Sequence, residues 1–229
     1  GGSVLGVGCR DVYSSGWNAI QSNLGPRSGI NAFTGDFSTI SGSGSSDIDR
    51  RLQIAHDDLD LGMHPNALYF VEGVYVASDD AQDGNSLNNA SYKRATVSAN
   101  QTISEAGSIF ATDPAIFAWA DHGNGVGVPD PDVQVLPVDV PGEGRFYAGA
   151  KVSDNGDGTW RYEYAVYNLN SHRSGGSFSV PIPAGVNVTD IGFHDVDYHS
   201  GEIYDNTDWS MIEAGGAVTW SSPQTHAQN

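Results

Sequence analysis

The side chains best placed for chemistry are oxygen and imidazole donors gathered in three short runs. The densest is Asp79-Asp80-Ala81-Gln82-Asp83-Gly84-Asn85, followed closely by Asn88 and Asn89. Adjacent carboxylates repel unless a cation or a base neutralises them. Oxygen ligands at this density suit calcium, so Asp79, Asp80, Asp83 and Asn85 form the leading candidate site, in what reads as an acidic, amide-rich loop. A second run, Asp154-Asn155-Gly156-Asp157-Gly158, pairs Asp154 and Asp157 with glycines that allow a sharp bend. It resembles half of a calcium loop but lacks the later bidentate Glu, and a tight turn accounts for the same residues. The third is Phe193-His194-Asp195-Val196-Asp197-Tyr198-His199. In an extended chain Asp195, Asp197 and His199 share one face, within about 13 Å at a rise of roughly 3.3 Å per residue. They would ligate a metal, as in a metal-dependent hydrolase, only if the strand bends or a loop closes over them.

Other catalytic signatures are missing. There is no Gly-x-Ser-x-Gly elbow, phosphate loop or dinucleotide fingerprint. His56-Asp57-Asp58 with His64 follows no zinc-ligand spacing and reads as a polar loop. Cys9, the single cysteine, excludes an intramolecular disulfide and any multi-cysteine metal motif. With 28 acids in the chain, two carboxylates can always be paired on paper, so a pair is no argument for glycoside hydrolysis.

The net charge is −18 over 229 residues, and the basic side chains include only two lysines, Lys93 and Lys151. Such a field repels nucleic acid and anionic membranes. No stretch approaches the roughly 18 apolar residues that span a bilayer, which excludes insertion by a helix. Asp in loops suits calcium or plain solubility in a salty medium.

The elements that must position these groups are β-strands. Ala148, Ala150 and Val152 alternate with Tyr147, Gly149 and Lys151; after the Asp154–Gly158 turn, Trp160, Tyr162, Tyr164 and Val166 alternate with Arg161, Glu163 and Ala165. Period-two alternation around Asn-Gly and Asp-Gly predicts a hairpin. The alternation with Arg161 and Glu163 assigns the aromatics to the core; exposed, they would offer a platform for sugars. Further strands are expected over 50–55, 67–77 (central and covered on both faces), 92–98, 133–140 (an edge, because of its prolines), 177–182, 186–193 and 217–220. One helix is expected over 114–122, capped by Asp113 and stopped by a left-handed Gly123. Residues 1–47 read as irregular, with 41–46 linker-like. The pattern predicts an all-β fold: an antiparallel β-sandwich, immunoglobulin-like or jelly-roll-like, with long loops and one short helix. It forms a single domain or divides near residue 140.

Several stretches together resemble a known group: residues 5–9 through 24–28, Asn66-Ala67-Leu68-Tyr69-Phe70, Trp160-Arg161-Tyr162-Glu163-Tyr164-Ala165-Val166-Tyr167-Asn168, and Gly192-Phe193-His194-Asp195-Val196. The chain is similar to secreted β-rich bacterial proteins of planctomycete-type and other aquatic lineages, a group without an established activity. The resemblance implies an extracellular or cell-surface setting and transfers no catalytic residue. The resulting expectation is a non-enzymatic structural or adhesive surface protein, calcium-stabilised and assembling into homo-oligomers or filaments. The alternatives are a secreted carbohydrate-binding module and a secreted metal-dependent hydrolase.

Overall fold

Alternation and turn chemistry build the hairpin that the sequence announces. In the computed structural model, which describes residues 29–37, 54–195 and 207–225, it is β7 and β8. The strands in order are β1 Ile30–Asn31, β2 Asp36–Phe37, β3 Tyr69–Val74, β4 Ala90–Val97, β5 Ile103–Ala111, β6 Gln134–Val140, β7 Gly144–Asp154, β8 Trp160–Asn168, β9 Ser177–Pro181, β10 Ser210–Ala214 and β11 Ala217–Ser221. Two short helices interrupt them, α1 Ser78–Gln82 and α2 Phe117–His122. The described chain is all-β and every strand pair is antiparallel. The strands hydrogen-bond as three three-stranded sheets, β3-β4-β5, β6-β7-β8 and β10-β11-β9, plus the ribbon β1-β2.

Several elements depart from the sequence reading. The strand β3 is an edge, because β4 takes the central place between β3 and β5. An apolar run signals burial but does not name the neighbour that pairs. The strand β5 escapes the alternation rule because the register slips opposite Lys93/Arg94, where Gly107 takes a φ of +74° and breaks the two-residue period. Residues 186–193, expected as a strand, are irregular, with Asp190 at a φ of +55°. The expected strand over 50–55 falls mostly outside the described residues; Ile54 and Ala55 are irregular and Asp57–Leu59 winds as a 3₁₀ turn. Pro137 keeps its expected place on an edge strand, β6, and Pro181 also lies on an edge strand, β9.

The helix α2 is shorter than expected and is held differently. Residues 114–116 make a 3₁₀-type turn, in which the N–H groups of Phe117, Ala118 and Trp119 donate three residues back. Asp113 is not the cap: the N-cap position is Ile116, and the Ala115 N–H one residue earlier donates to the Glu72 carboxylate from β3 at 2.5 Å. Gly123 is not a left-handed stop, since its φ is −61°. Glycine is needed there for space. A Cβ would lie 2.5 Å from the Trp119 carbonyl oxygen and 2.6 Å from Asp130 Cβ.

The main core cluster sits beneath this helix. Ile116 packs with Ala90 of β4, Tyr147 of β7 and Leu169, ringed by Phe117, Val135, Ala165 and Tyr167. Gly149, in the middle of β7, lets the Trp119 ring lie close above the strand, 3.1 Å from where a Cβ would stand. The inner face of β6-β7-β8 is therefore Val135, Tyr147, Gly149, Ala165 and Tyr167.

Two effects compete in Gly123→Ala. Helix propensity favours Ala by about 1 kcal/mol, whereas overpacking costs roughly 1–3 kcal/mol. With backbone and a Cβ as the obstacles, the clash wins. We expect a lower urea midpoint than wild type, and a higher one would show that the 130 segment does not pack on α2.

Candidate functional site

The calcium candidates are built into local structure. Residues 78–82 form α1, not a loop, so Asp79 and Asp80 occupy a first helical turn, where negative charge meets the exposed N–H groups. Asp79 Oδ1 accepts the Asp80 N–H at 3.0 Å, and Asp80 Oδ2 accepts the Asn89 amide at 2.5 Å. Asp83 is the C-cap residue, and the Asn85 N–H donates to the Asp80 carbonyl. In the hairpin turn, Asp154 Oδ1 accepts the Gly156 N–H at 2.8 Å, while Asp157 Oδ1 accepts both the N–H and hydroxyl of Thr159. Those bonds hold the Asp157 carboxyl below the usual aspartate range. Asp195 lies in irregular chain, and Asp197 and His199 lie outside the described residues. Among the described residues, no group of three or more His, Cys, Asp or Glu is placed to hold a metal ion.

The polar interior centres on α2. His122 is buried among Phe70, Tyr92 and Phe110, with ring centroids 5.0, 6.3 and 5.3 Å away. Its Nδ1 accepts the Gly127 N–H at 2.7 Å, which places the ring proton on Nε2 among the aromatic faces. Tyr92 donates to Asp121 at 2.6 Å; burial, and then this carboxylate, push the phenol far above its ordinary range, so it stays a donor. Tyr167 of β8 donates to the second oxygen of Glu72, so one carboxylate joins β3, β8 and the start of α2. These groups tie sheet to helix, and none of them lines either of two surface depressions. The larger surface depression, about 660 Å³, lies between the 33–36 turn, α1 and the β6–β7 turn. Of its two acids, Asp139 is held by Arg145 at 2.6 and 3.0 Å, which leaves no carboxylate pair there for acid–base work.

The outer face of β6-β7-β8 is the unusual surface. Register sets Trp160 against Asp154, Tyr162 against Val152, Tyr164 against Ala150 and Gln134, and Val166 against Ala148 and Leu136. Trp160, Tyr162, Val166 and Leu136 are 56, 58, 50 and 61% exposed. The sequence reading placed these aromatics in the core. The structure reverses that assignment, because α2 occupies the other face and selects Tyr147, Gly149 and Tyr167. Tyr164 also touches Phe178 of β9, 5.4 Å between ring centroids, which bounds the face on one side. Beside the aromatics lies a smaller depression of about 310 Å³, lined by Pro131, Asp132, Gln134, Ala150, Lys151 and Val152.

No protein-family model matches the chain, and no curated protein or solved structure matches it. Among the described residues no helix is long and apolar enough to cross a membrane.

The depression is anchored by Lys151, which donates to Asp130 at 2.6 Å; their side chains are 22 and 2% exposed. This contact holds the Asp130 carboxyl below the usual range and the Lys151 amine above it. A lowered carboxyl contributes stability above its unfolded value, near 3.9, and loses it as pH falls through the folded value. A raised amine contributes below about 10.4 and loses it as pH climbs through the folded value. Lys151→Met leaves a buried carboxylate unpaired. We expect a loss of about 2–4 kcal/mol at pH 7, and a gap to wild type that shrinks below about pH 4, read by urea unfolding across pH. A gap independent of pH would remove the ion pair as its cause.

Proposed function

We propose that this is a non-enzymatic adhesive surface protein and that the outer face of β6-β7-β8 is its contact surface. The observation that carries the reading is the exposure of Trp160, Tyr162, Tyr164, Val166 and Leu136 on one rigid sheet. Monomers rarely leave such residues contiguous; exposed apolar patches of this kind mark interaction sites. Aromatics provide large contact area at low entropic cost, because two torsions fix each ring. The hairpin register and the α2 packing behind it make the surface preorganised, which reduces the ordering cost of binding. An extracellular setting agrees with the acid excess and the scarcity of lysine. Of the carboxylates expected to hold calcium, Asp79, Asp80, Asp154 and Asp157 serve as turn and helix-end acceptors.

The test replaces Trp160 and Tyr162 together by Ser. Exposed positions away from the core change stability little, so circular dichroism and melting temperature should stay close to wild type. The fraction of protein lost from solution onto polystyrene and polysaccharide particles, and the molar mass in solution by light scattering, report adhesion. Wild type should be retained on at least one surface or self-associate, and the variant should lose that behaviour. Identical behaviour of the two proteins overturns the reading.

A further inference from the structure

The occupant of the outer face can be read from its charge, relief and chemistry. Along β6, β7 and β8 this face runs Gln134, Leu136, Val138; Phe146, Ala148, Ala150, Val152; and Tyr162, Tyr164, Val166, with no charged side chain until Asp154 beside Trp160 at the hairpin end. The whole chain carries −18, and Asp132, Asp154 and Asp157 stand at the rim. An uncharged strip on a strongly acidic body selects a neutral partner. A second copy would bring an equally acidic rim against this one, and nucleic acid or an anionic membrane would be repelled outright.

The relief fits a single extended chain. Ala148 and Ala150 on the central strand are flanked by Leu136 and Gln134 on one side and by Val166 and Tyr164 on the other. Two strand spacings make this trough about 9–10 Å wide. Tyr162 and Tyr164, with Trp160 beyond, stand in line at steps of about 6.6–6.8 Å along one strand, a row of flat apolar faces. Hydrogen-bonding groups lie alongside. Tyr162 and Tyr164 each carry a hydroxyl. The 310 Å³ depression next to Ala150 and Val152 offers Gln134, whose amide has no hydrogen-bond partner among the described residues. Flat carbon–hydrogen faces with hydroxyls around their edges are the chemistry of a pyranose ring. An apolar chain would leave Gln134 and the tyrosine hydroxyls unanswered.

We propose that the outer face of β6-β7-β8, from the Ala148–Ala150 trough to the hairpin end, binds a neutral, unbranched polysaccharide, its rings stacked on Tyr164, Tyr162 and Trp160 and its hydroxyls bonded by Gln134. This rests on the adhesive reading above and names the class of surface to which the protein adheres.

The test is depletion of the full chain onto insoluble cellulose, chitin, mannan and a β-1,3-glucan, with their soluble oligosaccharides as competitors. Binding to at least one glycan is expected, unchanged by 1 M salt. It should weaken about ten-fold in Tyr162→Ala and in Tyr164→Ala. Gln134→Ala should weaken it several-fold, whereas Ile212→Ala, an exposed apolar position on β10, should have no effect. A milder Tyr162→Ser, checked for an unchanged melting temperature, guards against a folding defect. Binding that salt abolishes, or that ignores all three face variants, overturns the proposal. If no glycan is bound but the wild type self-associates or adheres to polystyrene through Tyr162 and Tyr164, the polysaccharide is wrong and the adhesive face stands. If no face-dependent binding of any kind occurs, both fail.

Discussion

A six-residue helix wedged against two sheets is the constraint on which the rest of the described structure depends. It presents Ile116, Phe117 and Trp119 toward β6-β7-β8, and Asp121 and His122 toward β3-β4-β5. A helix this short has little stability of its own, because nucleation costs more than one or two turns return. It persists through tertiary bonds: Glu72 at its start, Asp130 packed against Gly123 at its end, and the Ala120 carbonyl accepting the Asp130 N–H at 2.7 Å. The sheets fix the helix and the helix fixes how the sheets face.

That mutual dependence explains the placement of two buried polar groups, Asp130 and His122, and two half-buried ones, Glu72 and Asp121. Glu72, Asp121, Asp130 and His122 all meet α2 or the segment it holds, and each has a defined hydrogen-bond partner. Burying them is tolerable because the partners are preorganised. Among the described residues, Asp79, Asp80, Asp83 and Asp157 lie elsewhere, in a turn and at helix ends.

The proposed contact surface follows from the same wedge by exclusion. With one face of β6-β7-β8 committed to α2, its aromatic side turns outward, bounded by Phe178 and left uncharged amid an acidic rim. A stiff sheet with a packed back presents those rings at fixed spacing, which a loop would not do. The proposed adhesion through this face and the proposed choice of a neutral glycan rest on one structural fact, the side of the hairpin sheet that the helix occupies.

The sequence by itself determined the local matters. Alternation and the Asp-Asn-Gly-Asp-Gly turn specified β7, β8 and their pairing; the prolines specified the edge strand β6; and the single cysteine excluded an intramolecular disulfide. These are properties of neighbours in the chain, set by backbone conformation and side-chain period. It misjudged what depends on distant partners. Apolar residues on both faces of β3 did not reveal that β4 is the central strand. Gly123 looked like a helix stop and proved to be room for Asp130. The Asp79–Asn85 run read as a loop, yet it begins as a helical turn. The largest reversal concerns Trp160, Tyr162 and Tyr164. Period-two alternation divides a strand into two faces but does not say which one meets the core. Only the tertiary structure decided that, because Trp119 needs the space above Gly149, and a helix can press on one side of the sheet alone.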